Sequence, residues 1–302
     1  MPGCDLYVTG ASGFVGRHVV ERARIEGLDV RTADGDLREP SVVDEQIAAT
    51  RPRAVIHLAA TRRTAEPWLA LANDLAMAGA IVRAVARHAP DAPVLVTGSA
   101  AQYGMGASRP LVEDDATVPV SPYGANKCVI ERAVTARPLS GAVRIIFTRS
   151  FNHIGPGQGP DAPAVQWAGQ VVAAEAAGGG TMRTGNLGVL RDFLDVRDVA
   201  AAYLALVRHR TAVGVVNVCS GVAVTVGRVA ELLVAHSRVP VSVEQDARLL
   251  RATDPPSVVG NPLRLRELTG WVPAVPLERS VAELLARCRA GVNNLDMPLF
   301  AQ

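Results

Sequence analysis

The sequence predicts an α/β protein: a doubly wound parallel sheet followed by a smaller C-terminal α/β region. Three observations predict it. Short apolar runs alternate with segments of helical period through the first half of the chain. Glycines cut those runs. A glycine pattern suited to phosphate binding stands at the first run-to-helix junction. Strands buried under helices on both faces read as near-continuous apolar runs, which is the texture seen here.

The elements follow in order. Leu6-Tyr7-Val8-Thr9 is a short apolar run ended by Gly10, and Phe14, Val15, Val19 and Val20 then line one side of a helix. Residues 29–32 read as a strand, 42–49 as a helix and 54–58 as a buried strand. Residues 68–87 form a long helix, 93–97 a buried strand, 123–136 a helix and 142–148 a strand. After Ser150 the texture changes. Residues 154–163 are rich in glycine and proline, 164–177 are helical, and Gly178-Gly179-Gly180 ends that helix. Residues 198–208 read as a helix, 215–219 as a strand available to the sheet, and 224–236 and 277–290 as amphipathic helices. Residues 293–302 read as a loose tail. The division expected is a dinucleotide-binding domain over 1–150, with 197–219 returning to it, and a substrate domain from 151–196 and 220–302.

Composition narrows the classes. The chain has 302 residues, 49% hydrophobic and 20% charged, too apolar and too balanced for a disordered chain. A net charge of +2 speaks against a broad nucleic-acid surface. No apolar run is expected to reach the ~20 residues that a membrane helix needs. The start passes almost directly into a strand, so no signal peptide is expected. Cys4, Cys128, Cys219 and Cys288 are scattered singly, which excludes a CxxC metal or redox motif and points to a reducing cytoplasm.

Gly10-Ala-Ser-Gly13-Phe14-Val15-Gly16 is GxxGxxG between a strand and a helix. Gly10 suits a tight turn, Gly13 lets backbone approach a pyrophosphate at the helix N-terminus, and Gly16 lets the helix pack on the sheet. Ordinary turn glycines are the bland alternative, but the strand–helix context is what the motif requires. Asp34 lies 18 residues after Gly16, where an acid accepts from the adenosine ribose and repels a 2′-phosphate. Asp36 competes for that role, Arg31 and Arg38 are placed to hold a phosphate instead, and a plain acidic turn is the third reading. NAD is favoured, and NADP stays open.

Tyr123 and Lys127 are four residues apart at a helix start, so phenol and ammonium share one face. A cation beside a tyrosine lowers its pKa from ~10 and suits it to proton transfer. Lys127 is the one lysine among 31 Lys and Arg residues. A site needing a compact ammonium rather than a planar guanidinium accounts for the exception, against an accident of codon usage. Ser99 follows the strand ending at Thr97, at the sheet end where such folds bind ligand, and is placed to hydrogen-bond the oxygen that Tyr123 protonates. Otherwise it is a turn serine or a helix cap.

These residues, with His57-Leu58-Ala59-Ala60, Ser99-Ala-Ala-Gln-Tyr103-Gly and Arg149-Ser-Phe-Asn152-His-Ile-Gly-Pro156-Gly-Gln, resemble the extended short-chain dehydrogenase/reductase family, from Asp5 to about Arg289. The resemblance implies a Rossmann domain, an NAD(P)H cofactor and a nucleotide-diphosphate sugar substrate. It implies that Ser99, Tyr123 and Lys127 are catalytic, with Tyr123 and Lys127 also touching the cofactor. Gly10, Gly13, Phe14, Val15, Gly16, Asp34, Asp36, Leu37, Leu58, Ala59 and Ala60 would line the cofactor. Asn152, Arg191, Arg251 and Asp254 would join Ser99 in binding substrate, although in so arginine-rich a chain either arginine alone reads as a solvated surface residue. It also implies a homodimer through residues 68–87 and 123–136.

Within the family, residues 151–158, 191–198, 217–221 and 268–271 are most similar to members that reduce the C4 ketone of GDP-4-keto-6-deoxymannose. The family's dehydratases carry an acid two residues after the catalytic Ser, and its 3,5-epimerising members a Cys. Ala101 stands there, so hydride transfer alone is expected. Reduction of a dTDP-4-keto-6-deoxyhexose and C4 epimerisation with bound NAD remain open alternatives. A cofactor-sensing protein without catalysis is disfavoured by the intact Ser99, Tyr123 and Lys127. His57 and His153 lack metal-ligand spacing with a second ligand, and no metal is expected.

Overall fold

The computed structural model describes residues 3–61, 66–136, 141–250 and 254–291. Six parallel strands form the central sheet: β1 (Leu6–Thr9), β2 (Val30–Thr32), β3 (Val55–His57), β4 (Val94–Thr97), β5 (Ile145–Ser150) and β10 (Gly214–Val218). Their spatial order is β10-β5-β4-β3-β1-β2. The chain runs outward from β1 to β2 and then reverses to β3 on the other side. The crevice beyond the C-terminal ends of β1 and β3 is therefore the topological switch point, where doubly wound sheets bind ligand.

Alternation along the strands divides the core between two layers. Leu6 and Val8 of β1 face α1 (Phe14–Ile25) and α6 (Val196–Arg208), in a cluster with Val19, Ala23, Val199 and Tyr203. Tyr7 faces the other way, with Val43 and Ile47 of α2 (Pro40–Thr50), Ile81 and Val85 of α3 (Pro67–His88) and Ile130 of α4 (Pro122–Thr135). Period-two alternation on a sheet covered by helices on both faces produces this pattern.

The second core lies in the later part of the chain. Trp167 and Val171 of α5 (Pro163–Ala177), Val229 and Leu233 of α7 (Val226–Ala235) and Val281 and Leu285 of α9 (Leu277–Arg289) pack around Met182. Met182 lies on β7 (Gly180–Thr184), which pairs in parallel with β12 (Val241–Gln245). β6 (Asn152–Ile154) pairs with β9 (Phe193–Asp195), and β8 (Leu190–Arg191) lies between β11 (Val224–Thr225) and β13 (Ser257–Val258). These short strands and α8 (Leu263–Thr269) have no period long enough to read in the sequence. The tail at 293–302 lies outside the described residues.

One helix bears on the expectation that no apolar run reaches ~20 residues. α3 is 22 residues long and apolar enough, by length and composition, to cross a membrane. Alanines between its larger side chains raise its hydropathy without forming a continuous apolar run. In this fold one face of it packs under the sheet, with Ala78, Ile81 and Val85 buried, while Trp68 and Leu69 are exposed.

Candidate active site

The first loop of the switch point is built on glycine for steric reasons. Gly10 has φ of +66°, and a Cβ there would lie 2.7 Å from the Ala59 nitrogen. This close approach brings the turn after β1 against Leu58 and Ala59 after β3. A Cβ on Gly16 would lie 2.1 Å from the Gly10 oxygen, so α1 can sit this close only without one. Gly13 differs: its added Cβ would meet only the Gly10 oxygen, at 3.2 Å. Gly13 is exposed, and α1 begins with no side-chain cap on its first amides. Unpaired amides at a helix start, beside a glycine with room for a ligand, fit a pyrophosphate. Phe14 and Val15 form the first turn and are half-buried.

The loop after β2 places Asp34 and Asp36 on the surface and buries Leu37. The Asp34 carboxylate accepts from the Gly35 amide at 2.8 Å, as an acidic turn residue does. Asp36 is forked by Arg38, which holds its carboxyl down to about 2. Arg31 pairs with Asp29 at 3.2 Å. Both arginines considered for a 2′-phosphate therefore already face carboxylates. Ala60 is exposed at the crevice.

Ser99 caps the 3₁₀ turn Ala100–Tyr103: its Oγ accepts from the Ala101 amide at 3.2 Å, and Gln102 Oε1 accepts from the Ser99 amide. The cap reading and the catalytic one are compatible, because the serine hydroxyl keeps its proton to donate. Tyr123 and Lys127 open α4, where Ser121 caps the Gly124 amide and Pro122 supplies the first-turn φ. The Lys127 ammonium lies 5.9 Å from the centroid of the Tyr123 ring, and its side chain is only 8% exposed. A Cβ on Gly124 would lie 2.4 Å from the Ala101 oxygen, so the Ser99 turn and the Tyr123 helix are in direct contact.

Two neighbours of Lys127 lie outside the expected site residues. Asp74 of α3 lies 3.9 Å from its ammonium, and the other Asp74 oxygen accepts from the Thr61 amide at 2.7 Å. A signal existed: Asp74 is the only acid in α3 and shares a face with Ala78, Ile81 and Val85. His57 is fully buried, and burial first, then the Lys127 charge, push its pKa down to about 3. Thr9 Oγ1 accepts from the Leu58 and Ala59 amides, so its proton goes to His57 Nδ1 at 2.8 Å. His57 is thus a neutral packing residue beside the cofactor crevice.

The later part of the chain reaches this crevice through the loop after β6. Arg17 of α1 donates to the Gly157 carbonyl at 2.9 Å, and His18 Nε2 lies 3.1 Å from the Pro156 carbonyl. Asn152 is exposed, and its Nδ2 donates to the Asp192 carbonyl at 3.2 Å. Burial lowers the pKa of Arg191, whose Nη1 is tethered to the Leu190 and Pro255 carbonyls at 2.8 Å. The Asp254 charge pushes it the other way. A half-buried guanidinium held by neutral carbonyls keeps its charge for an incoming anion. Arg251 lies outside the described residues. His153 is neutral, with burial holding its pKa down to about 4, and its carbonyl accepts from Gln158.

A nucleotide-phosphate crevice at the switch point, faced by a tyrosine–lysine pair, defines an NAD(P)-binding enzyme of the Rossmann class. Comparison with known proteins carries the assignment further. Residues 6–219 match the model of the NAD dependent epimerase/dehydratase family. GDP-6-deoxy-D-mannose reductase of Pseudomonas aeruginosa is 32% identical over 93% of this chain and 96% of its own length. UDP-glucose 4-epimerase of Rhizobium leguminosarum bv. trifolii is 26% identical over 93% of this chain and 96% of its own. The solved structure of RMD from Pseudomonas aeruginosa complexed with NADPH superposes with a TM-score of 0.86 at 30% identity, covering 96% of this chain and 100% of that one. The chain belongs to the NAD dependent epimerase/dehydratase family and is an NAD(P)-dependent oxidoreductase.

Proposed function

We propose that the protein reduces the C4 ketone of a nucleotide-diphosphate 4-keto-6-deoxyhexose of the GDP-4-keto-6-deoxymannose type, using NAD(P)H. The observation that carries this reading is the buried Lys127 ammonium, 5.9 Å from the Tyr123 ring centre and beside the Ser99 turn. When bound, NAD(P)H supplies the hydride. Tyr123 gives its hydroxyl proton to the C4 oxygen, and Ser99 donates a hydrogen bond to the same oxygen. Lys127 places a cation beside the phenol as its proton leaves. Ala100 and Ala101 offer no acid or base for dehydration, and Ala101 no thiol for 3,5-epimerisation. Arg191, with Arg251, Asn152 and Asp254, takes the diphosphate, sugar and nucleotide ribose.

In this reading residues 1–150 and 197–219 form the cofactor domain, and 151–196 with 220–302 the substrate domain. Exposed Trp68 and Leu69 on α3 and Val129 on α4 support a homodimer through those helices. Four free cysteines support a reducing cytoplasm. The test is oxidation of NADH or NADPH at 340 nm with GDP-4-keto-6-deoxymannose against its dTDP counterpart. The second reading, C4 epimerisation, is favoured by the likeness to UDP-glucose 4-epimerase. Conversion of UDP-glucose without net cofactor consumption would establish it instead.

A further inference from the structure

A buried chain of polar contacts joins the Ser99 turn to the Tyr123 helix, and proton transfer itself does not use it. Gln102 is fully buried. Its Oε1 accepts from the Ser99 amide at 3.0 Å, and its Nε2 donates to Glu131 Oε2 at 2.6 Å. Reversing that amide would set donor against donor and oxygen against carboxylate, so one orientation holds. Glu131 lies on α4, one helical turn beyond Lys127 and two beyond Tyr123, on the same face. Arg149 of β5 forks Glu131, with Nε to Oε2 at 2.9 Å and Nη2 to Oε1 at 2.6 Å. Its Nη1 donates to the Glu113 carbonyl at 3.0 Å, and its guanidinium stacks 4.8 Å from the Tyr103 ring centre. The additional bond to Gln102 is spent on the cap of Ser99.

We propose that Gln102, anchored to Glu131 of α4, is a positioning residue that sets the spacing of Ser99 from Tyr123 that the reaction requires. The inference rests on Ser99 and Tyr123 being the proton-transfer pair. A shift of ~1 Å in such a pair costs on the order of 10²-fold in rate. Gln102→Leu removes the link and leaves the Glu131–Arg149 pair in place. Gln102→Asn keeps both polar ends but is too short to span them, and serves if the leucine variant does not fold.

The experiment measures kcat, KM and NADPH affinity with GDP-4-keto-6-deoxymannose for each variant, alone and combined with Ser99→Ala. The expected result is a kcat loss of ~10- to 10²-fold, with KM and NADPH affinity within about twofold of wild type. In the Ser99→Ala background the Gln102 substitution should cost nothing more, because its effect passes through Ser99. Losses that multiply independently of Ser99, or a folded Gln102 variant with wild-type kcat, overturn the proposal. A Ser99→Ala enzyme with wild-type kcat, or a wild type inactive on this substrate, instead overturns the reading beneath it, and the proposal with it.

Discussion

Lys127→Arg isolates geometry from charge at the proposed site. The Lys127 ammonium lies 3.9 Å from Asp74, and both side chains are about nine-tenths buried. At that distance two unit charges attract by about 4 kcal/mol in a medium of effective dielectric ~20, before desolvation is counted. Arginine keeps that attraction, so a purely electrostatic role predicts a small effect. The site asks for more than charge. A compact head must lie beside the Tyr123 ring, near Asp74 and buried His57, while still reaching the nicotinamide ribose. A planar guanidinium is wider and must displace one of these groups. A displacement of ~1 Å costs on the order of 10²-fold in kcat, or about 2.7 kcal/mol of barrier. Cofactor affinity falls as well. The assay is NAD(P)H oxidation at 340 nm with the 4-keto substrate, alongside a fluorescence titration of the cofactor. Near-normal kcat and affinity in Lys127→Arg would refute the argument and leave the sole lysine an accident of composition.

Three further outcomes follow from the same geometry. Tyr123→Phe keeps the ring but loses the transferable proton, so kcat should fall at least ~10²-fold with cofactor binding nearly intact; wild-type turnover would remove Tyr123 from the mechanism. GDP-mannose and dTDP-glucose should not become 4-keto-6-deoxy sugars, because Ala100 and Ala101 carry no acid or base; appearance of the alkali-dependent keto-sugar chromophore from either hexose would count against this. His57 should make stability depend on pH. Its pKa is about 3 folded and 6.5 in the ordinary state, so the unfolded chain takes up the proton first as pH falls. The stability this contributes is fully present above pH 6.5 and is lost progressively toward about 3. Denaturant-unfolding free energies should decline over that window less steeply in His57→Gln, and equal slopes would exclude His57 as the source.

Local patterns carried the sequence reading where both the structure and the chemistry are local. Leu6–Thr9, Val55–His57 and Val94–Thr97 are legible because a strand buried on both faces must be apolar throughout. Gly10, Gly13 and Gly16 are legible because a tight turn into a helix fixes their spacing, and Tyr123 and Lys127 because four residues make one helical turn. The residues around them depend on contacts that sequence separation hides. Asp74 meets Lys127 only because α3 and α4 pack side by side. Glu131 meets Gln102 and Arg149 across three elements, and the Tyr103–Asn217 bond joins residues 114 positions apart. Short strands such as Leu190–Arg191 have too few residues to show a period, so tertiary pairing alone defines them. Arg191 is one arginine among many by sequence. Its tether to the Pro255 carbonyl and its partial burial, both products of the folded chain, set it apart.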